Sequence, residues 1–142
     1  MATDLRITEV APDGRVRLRL RAPDPGRIAG FPLLVQQVVL VTLRDPRFPT
    51  GTGARVGGDL RGYAARDLPH ARGAAAVQND LAIRLQEVQS QLIREQESAP
   101  ALAPAERLEG LRLQAVEETA TGYRATALVT GAGGQTGRVA LL

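Results

Sequence analysis

The chain has 142 residues, a formal net charge of +3 at neutral pH and no cysteine. This length predicts one domain with a single core. The absence of cysteine excludes disulfides, thiolate metal sites and cysteine nucleophiles, and His70, the single histidine, cannot form a histidine cluster. The first residues lack a secretory-signal pattern, and the longest apolar run, residues 33–43, is too short to span a bilayer. We therefore expect a soluble protein without a membrane partner.

The basic residues are all arginines, and they are unevenly distributed. Up to Arg72 there are twelve arginines against seven acids, whereas from Gly73 onward there are six against eight. The first half is therefore suited to an acidic partner. Aromatic residues for base stacking are almost absent from it, so nucleic acid is not the expected partner and remains the alternative.

A β-hairpin is predicted within residues 1–27. Two strands, Leu5–Val10 and Arg15–Arg21, flank the turn tripeptide Pro12-Asp13-Gly14. Apolar residues alternate with arginines in the second strand, so one face is a row of guanidinium groups. Such a row suits phosphate or an acidic neighbour, and it equally suits a solvent face that discourages strand aggregation. We expect a docking element here, separate from a main domain over residues 28–142. Its predicted partner-binding residues are Arg15, Arg17, Arg19 and Arg21.

The segment from Pro32 to Leu43 is too densely apolar for its period to distinguish helix from strand, and its valines favour strand locally. We predict a buried helix here, since proline suits a first helical turn. Arg44–Gly62 is rich in glycine and proline and is predicted to be a long loop. Its glycines do not match a Walker or a dinucleotide-binding motif. Asp67 and Pro69 are expected to start a helix that runs through Gly73 into the next element.

The long helix is predicted over Ala74–Glu97, which contains no glycine or proline. Apolar residues recur every three or four positions and form one stripe, while Ile83 lies nearly opposite. The stripe consists of Val77, Leu81, Leu85, Val88 and Leu92. The acids of this helix alternate with arginines, as is typical of solvated helix surfaces.

The remainder of the chain is predicted to be an antiparallel meander of three strands, after a helical turn at Ala105–Glu109 that ends at Gly110. The last strand is Gln135–Leu142, with Val139 and Leu141 at alternating positions. The expected fold is α+β: an N-terminal β-hairpin, two or three helices including one long helix, and a C-terminal antiparallel β-meander.

The sequence shows no catalytic constellation. Glu117 and Glu118 are adjacent, so on a strand they point to opposite faces and cannot act as a facing acid–base pair. Ser90 and Ser98 lie in charged helical surroundings rather than in a nucleophile elbow. We predict a non-enzymatic protein without a cofactor or metal, and a small enzyme is the remaining alternative.

The order of parts and two short motifs resemble a known family. An apolar helix that ends Leu40-Val41-Thr42-Leu43 is followed by the loop and by Gly58-Asp59-Leu60-Arg61-Gly62-Tyr63. This resembles the small baseplate proteins of contractile-tailed phages, the Mu-type baseplate protein family, and its relatives among wedge proteins, sheath initiators and type VI secretion baseplate subunits. That group carries a Gly-Asp-Arg-Arg-Gly-Trp type motif at this place. Glu106-Arg107-Leu108 is similar to the Glu-Pro-Arg-Ile of sheath initiators but lacks the proline.

The resemblance implies a structural subunit of the virion, assembled in the host cytoplasm, that joins the baseplate wedge to tube and sheath in about six copies around the tail. Sheath initiators are thought to start sheath growth by strand exchange, which implies that the C-terminal strand is offered to a partner. The alternative is a nucleic-acid-binding module that uses the arginine row, and its DNA affinity would fall steeply with salt. Besides that row, the expected partner-binding residues are Asp59, Arg61, Tyr63, Glu106, Arg107, Val139 and Leu141.

Overall fold

The computed structural model describes residues 4–5, 8–10, 16–18, 27–47, 57–99 and 101–142. Within these ranges the fold is α+β, with three α-helices and a C-terminal three-stranded antiparallel sheet. Four short strands come first: β1 (Asp4–Leu5), β2 (Thr8–Val10), β3 (Val16–Leu18) and β4 (Arg27–Ile28). The helices are α1 (Phe31–Leu43), α2 (Leu60–Arg66) and α3 (Ala74–Glu97), and the sheet consists of β5 (Leu108–Thr119), β6 (Gly122–Gly131) and β7 (Thr136–Ala140).

The short N-terminal strands pair antiparallel. β2 pairs with β3, so that Thr8 lies opposite Leu18, and β1 pairs with β4, so that Asp4 lies opposite Ile28. The predicted turn at Pro12-Asp13-Gly14 and residues 6–7, 15 and 19–21 of the two predicted strands lie outside the described residues. Leu5, the first residue of the first predicted strand, pairs with Arg27 rather than with the second predicted strand. The complete hairpin therefore stays a prediction.

The prediction of α3 is confirmed from Ala74 to Glu97, and all five residues of its apolar stripe are buried. Ile83 is 50% exposed, as its place opposite the stripe predicts. The predicted continuation from Asp67 through Gly73 is wrong. Residues Leu68–His70 form a short 3-10 turn instead, and Gly73 has a φ of +89°, which breaks the helix before α3 begins.

The predicted buried helix is also confirmed, and it begins one residue earlier than expected, at Phe31. α1 packs against α3 and against β6 and β7. Two sheet glycines make room for it, since a Cβ on Gly131 or Gly137 would lie 3.2 or 3.1 Å from the Phe31 ring. The core that α1 shares with α3 and the sheet includes Leu34, Val35, Val38, Leu85, Val88, Leu92, Leu111, Ala127, Val129 and Val139.

Two predicted boundaries are wrong. The loop prediction extended to Gly62, but α2 already begins at Leu60, because Leu60 and Tyr63 are buried in a second apolar cluster with the first half of α3. The predicted helical turn at Ala105–Glu109 is shorter and lies earlier, at Pro104–Glu106, and Gly110 belongs to β5. Residues 48–56 of the loop lie outside the described ranges.

The predicted meander is confirmed. The strand order is β5-β6-β7, so β5 and β7 form the two edges of the sheet. On β6, Ala125, Ala127 and Val129 alternate with more exposed residues and face the core. α3 runs beside β5. The β5 edge of the sheet therefore lies against α3.

Candidate functional site

The outer edge of β7 is the first candidate surface. The Leu141 N–H donates to the Ala125 carbonyl at 2.8 Å, which fixes the direction of the backbone groups along the β6–β7 ladder. Because these groups alternate in direction along an antiparallel strand, those of Thr136, Arg138 and Ala140 point away from β6. No described strand is hydrogen-bonded to this edge, but the Cα atoms of β3 approach those of β7 within 8 Å.

An apolar groove of about 250 Å³ adjoins this edge. Three predicted partner-binding residues, Arg61, Val139 and Leu141, line it together although they lie far apart in the sequence. Val139 is buried at its floor, and Arg61 is exposed at its rim. The other lining residues are Val39, Thr42, Leu43, Leu60 and Ala140. The groove suits an apolar side chain of an incoming strand.

The β5 edge, in contrast, is bound by side chains of α3. The Gln89 Oε1 atom accepts the Leu111 N–H at 2.6 Å, and the Gln96 Oε1 atom accepts the Leu108 N–H at 2.8 Å. The two glutamines are two helical turns apart, about 10 Å, which matches three residues of strand. The helix thus occupies the edge against which another strand would pair.

The Gly58–Tyr63 motif has a local structural role at the start of α2. Asp59 adopts left-handed backbone angles (φ 46°, ψ 41°), and its carboxylate accepts from the Arg66 Nη2 atom at 2.6 Å. Gly58 has no room for a side chain, because a Cβ there would lie 2.8 Å from the Thr42 carbonyl oxygen. Asp59, a predicted partner-binding residue, is thus engaged within the chain.

Tyr63, also predicted to bind a partner, belongs to the core and is 1% exposed. The Arg84 guanidinium stacks over its ring, 4.9 Å from the centroid, and donates to the Gly58 carbonyl at 2.9 Å. The Tyr63 hydroxyl is buried, and no hydrogen bond of ordinary length and angle reaches it from the described residues, but the Asp80 carboxylate lies close enough to interact with it as an acceptor. Burial, followed by the negative charge of Asp80, raises the pKa of this hydroxyl.

A second surface lies around Ile83, on the side of α3 whose alternating charges predict an ordinary solvated helix surface. We call Asp67, Asp80, Ile83 and Glu87 the acidic face; with Tyr63 and Arg84 they line a cleft of about 400 Å³. Asp80 and Glu87 form no ion pair within the described ranges, whereas Asp67 lies 3.5 Å from Arg84. The sequence signal for this face was the isoleucine opposite the buried stripe.

Glu106 and Arg107 hold the segment between α3 and β5 in place. The buried Glu106 carboxylate accepts the Gly30 N–H at 2.9 Å, which ties this segment to the start of α1. The Arg107 guanidinium donates to the carbonyls of Leu102 at 3.2 Å and Ala99 at 3.5 Å. Both predicted partner-binding residues therefore make contacts inside the chain.

The arginine row is not brought into any described site. Arg15, Arg19 and Arg21 lie outside the described residues, and of Arg17 only the backbone is described.

His70 is exposed. The described residues contain no cluster of acids and histidine arranged to hold a metal ion, and none of their helices is long and apolar enough to cross a membrane.

Comparison of the chain with protein-family models gives no match, and comparisons with curated proteins and with solved structures give no significant match either.

Proposed function

We propose that the chain is a non-enzymatic assembly subunit of a contractile-tail baseplate, and that it recruits a sheath subunit by strand addition at β7. The observation that carries the proposal is the combination of the β7 edge, to which no described strand is hydrogen-bonded, and an apolar groove beside it. The resemblance of Gly58–Tyr63 to the baseplate motif supplies the class of assembly. The site would serve about six copies around a tail, since such assemblies are cyclic.

Strand addition uses main-chain hydrogen bonds for affinity and side-chain pockets for specificity. The outward backbone N–H and C=O groups of Thr136, Arg138 and Ala140 would supply the main-chain hydrogen bonds. The groove lined by Val139 and Leu141 would supply the side-chain pocket. Monomeric proteins usually protect an edge strand with proline, a bulge or several charges. β7 has no proline and no register shift, and Arg138 is its single charged residue.

We further propose that residues 1–27 form a β-hairpin that serves as a separate docking element. The pairing of β1 with β4 supports this, because Leu5 opposite Arg27 brings the two ends of the element together. The pairing of β2 with β3 supports the inner part of the same hairpin.

Replacing Arg138 by proline tests strand addition at its centre. Proline removes the outward N–H of Arg138 and places a ring on the outer edge of β7, while the β6–β7 ladder keeps its bonds. The matched control is Arg138→Ala, which removes the side chain but keeps the N–H. A point change is sharper than deleting β7, since the deletion would also remove the buried Val139 from the core.

The readout is electron microscopy of tails from cells in which the variant replaces the natural chain. We expect baseplates with bare tubes for Arg138→Pro and sheathed tails for Arg138→Ala, with unchanged helix content by circular dichroism for both purified proteins. Sheathed tails with Arg138→Pro would refute strand addition at β7. If mass spectrometry of purified tail particles does not detect the natural chain, the proposal that it is a baseplate subunit is wrong.

A further inference from the structure

We propose that the outer face of the C-terminal sheet binds the exposed side of α3 in a second copy of this chain, in a head-to-tail contact. The site on the sheet is a row of three residues across its strands, Arg112, Leu128 and Arg138, which we call the sheet patch. The contact uses side chains on the face of the sheet and not the backbone edge of β7, so it does not depend on the function proposed above.

The register of the strands places the sheet patch on the side of the sheet that faces away from the helices. Arg112 on β5 lies opposite Leu128 on β6, and Leu128 lies opposite Arg138 on β7, so the three side chains share one face. The neighbours of Leu128 in the sequence, Ala127 and Val129, are buried in the core that includes α1 and α3. Because successive side chains of a strand point to opposite faces, Leu128 points outward. The two arginines flank it and are two strand spacings apart, about 10 Å.

The side chains of the sheet patch are accessible to a partner. Arg112 is exposed, and Arg138 is exposed too although β3 lies near β7. Neither arginine forms an ion pair within the described ranges. Leu128 is half-buried and, among the described residues, belongs to neither apolar cluster. Two guanidinium groups with an apolar side chain between them suit a surface with two carboxylates and an apolar side chain between those.

The exposed side of α3 has this complementary pattern at the same spacing. Asp80, Ile83 and Glu87 are three and four residues apart and therefore share one side of the helix. The two acids are separated by two helical turns, about 10 Å, and Ile83, which is 50% exposed, lies between them. Glu87 is exposed, and the half-buried Asp80 interacts with the Tyr63 hydroxyl. A carboxylate has two acceptor oxygens, so Asp80 can also accept from a guanidinium group.

A second copy must supply the acids, because the two surfaces belong to opposite layers of the fold. The sheet patch points away from the helices, and Ile83 lies opposite the stripe of α3 that packs against the sheet. A contact between different surfaces of identical chains is heterologous, and it generates a ring or a filament. Protein is favoured over nucleic acid as the occupant, because Leu128 stands between the two arginines where a base would need an aromatic ring for stacking.

Charge reversal in the full chain tests the proposal by sedimentation velocity at low salt. We expect concentration-dependent self-association of the natural chain, weakened about tenfold or more by Arg112→Glu with Arg138→Glu, and equally by Asp80→Arg with Glu87→Arg. Combining all four changes should restore association, because the charges are then complementary again. Arg112→Glu alone should weaken self-association and leave sheath attachment unaltered, since Arg112 lies on β5, which separates this contact from strand addition at β7.

The matched control for reversal of the acids is Glu97→Arg with Glu118→Arg, which makes the same charge change at exposed positions outside both surfaces and should leave association unchanged. A monomer at every concentration, or self-association that survives either reversal, would overturn the proposal. If the variant with all four changes does not associate, the two surfaces do not pair directly. Binding of a DNA oligonucleotide that is lost with Arg112→Glu, without self-association, would assign the sheet patch to a polyanion instead.

Disulfide trapping gives a second measurement in which every charge of the two surfaces is kept. The chain has no cysteine, so a cysteine introduced into each of two variants has a single possible partner type. Mild oxidation of a mixture of Leu128→Cys and tagged Ile83→Cys should give a cross-linked dimer of the two variants. The control mixture is Glu117→Cys with tagged Ile83→Cys, since Glu117 is exposed on β5 but five residues, about 17 Å, from Arg112. Equal yields of mixed dimer in the two mixtures would contradict the proposed contact.

Discussion

Replacing Gln96 by leucine tests how the fold protects its β5 edge. Gln96 is 7% exposed and makes two buried hydrogen bonds: its Oε1 atom accepts the Leu108 N–H at 2.8 Å, and its Nε2 atom donates to the Glu106 carbonyl at 3.0 Å. Leucine has a similar size but leaves both backbone groups without this partner. Each buried group that loses its partner costs about 1 to 3 kcal/mol, and added apolar burial offsets part of the loss. We expect unfolding to become easier by about 2 to 5 kcal/mol.

Two glutamines of the same helix provide graded controls. Gln89→Leu removes the single bond to the Leu111 N–H and should cost about half as much, and Gln86→Leu, at an exposed position without a described hydrogen bond, should stay within about 0.5 kcal/mol. Urea unfolding followed by circular dichroism gives the free energies, and hydrogen exchange of the Leu108 amide reports the edge directly. If Gln96→Leu costs no more than Gln86→Leu, or if the Leu108 amide stays protected, α3 does not hold the edge as described.

Two further predictions concern the core. Leu85→Ala should lower the free energy of unfolding by about 2 to 5 kcal/mol through a cavity, and Ile83→Ala by about 1 kcal/mol or less because Ile83 is already half exposed; equal shifts in melting temperature would mean that the buried face is misassigned. The chain has no lysine or cysteine that would titrate near pH 10. Since the pKa of Tyr63 is raised in the folded state, the unfolded chain loses its proton first and stability should fall as pH rises above about 10. In urea unfolding, Tyr63→Phe should remove the loss of stability that is due to Tyr63. In the variant Tyr123→Phe, Tyr63 is the single tyrosine, so its pKa can be followed by tyrosinate absorbance. An ordinary tyrosine pKa for Tyr63 in that titration would contradict the prediction.

Elements with strong periodicity could be predicted from the sequence. Ala74–Glu97 has an uninterrupted helical stripe, and the last third of the chain alternates between apolar and polar residues, so α3 and the meander follow from local pattern. The start of α2 did not, because glycines surround Leu60 and the helix depends on tertiary burial of Leu60 and Tyr63. A short helix inside a glycine-rich segment carries no periodic signal of its own.

The candidate surfaces were predictable only in part. Arg61, Val139 and Leu141 were singled out separately, and the fold brings them to one groove. The spacing of Gln89 and Gln96 is visible in the sequence, but its meaning depends on β5 lying beside α3. Long-range contacts of this kind have no local signature.

Salt separates strand addition at β7 from binding through the arginine row. Strand addition depends on main-chain hydrogen bonds and an apolar groove, which raised ionic strength leaves largely intact. A nucleic-acid-binding module that used the arginine row would lose affinity steeply with salt, because binding releases counterions from the phosphates. We therefore expect attachment of the sheath subunit to persist between low and moderate salt. A steep loss of attachment over that range would mean that exposed charges, and not the β7 edge, hold the partner.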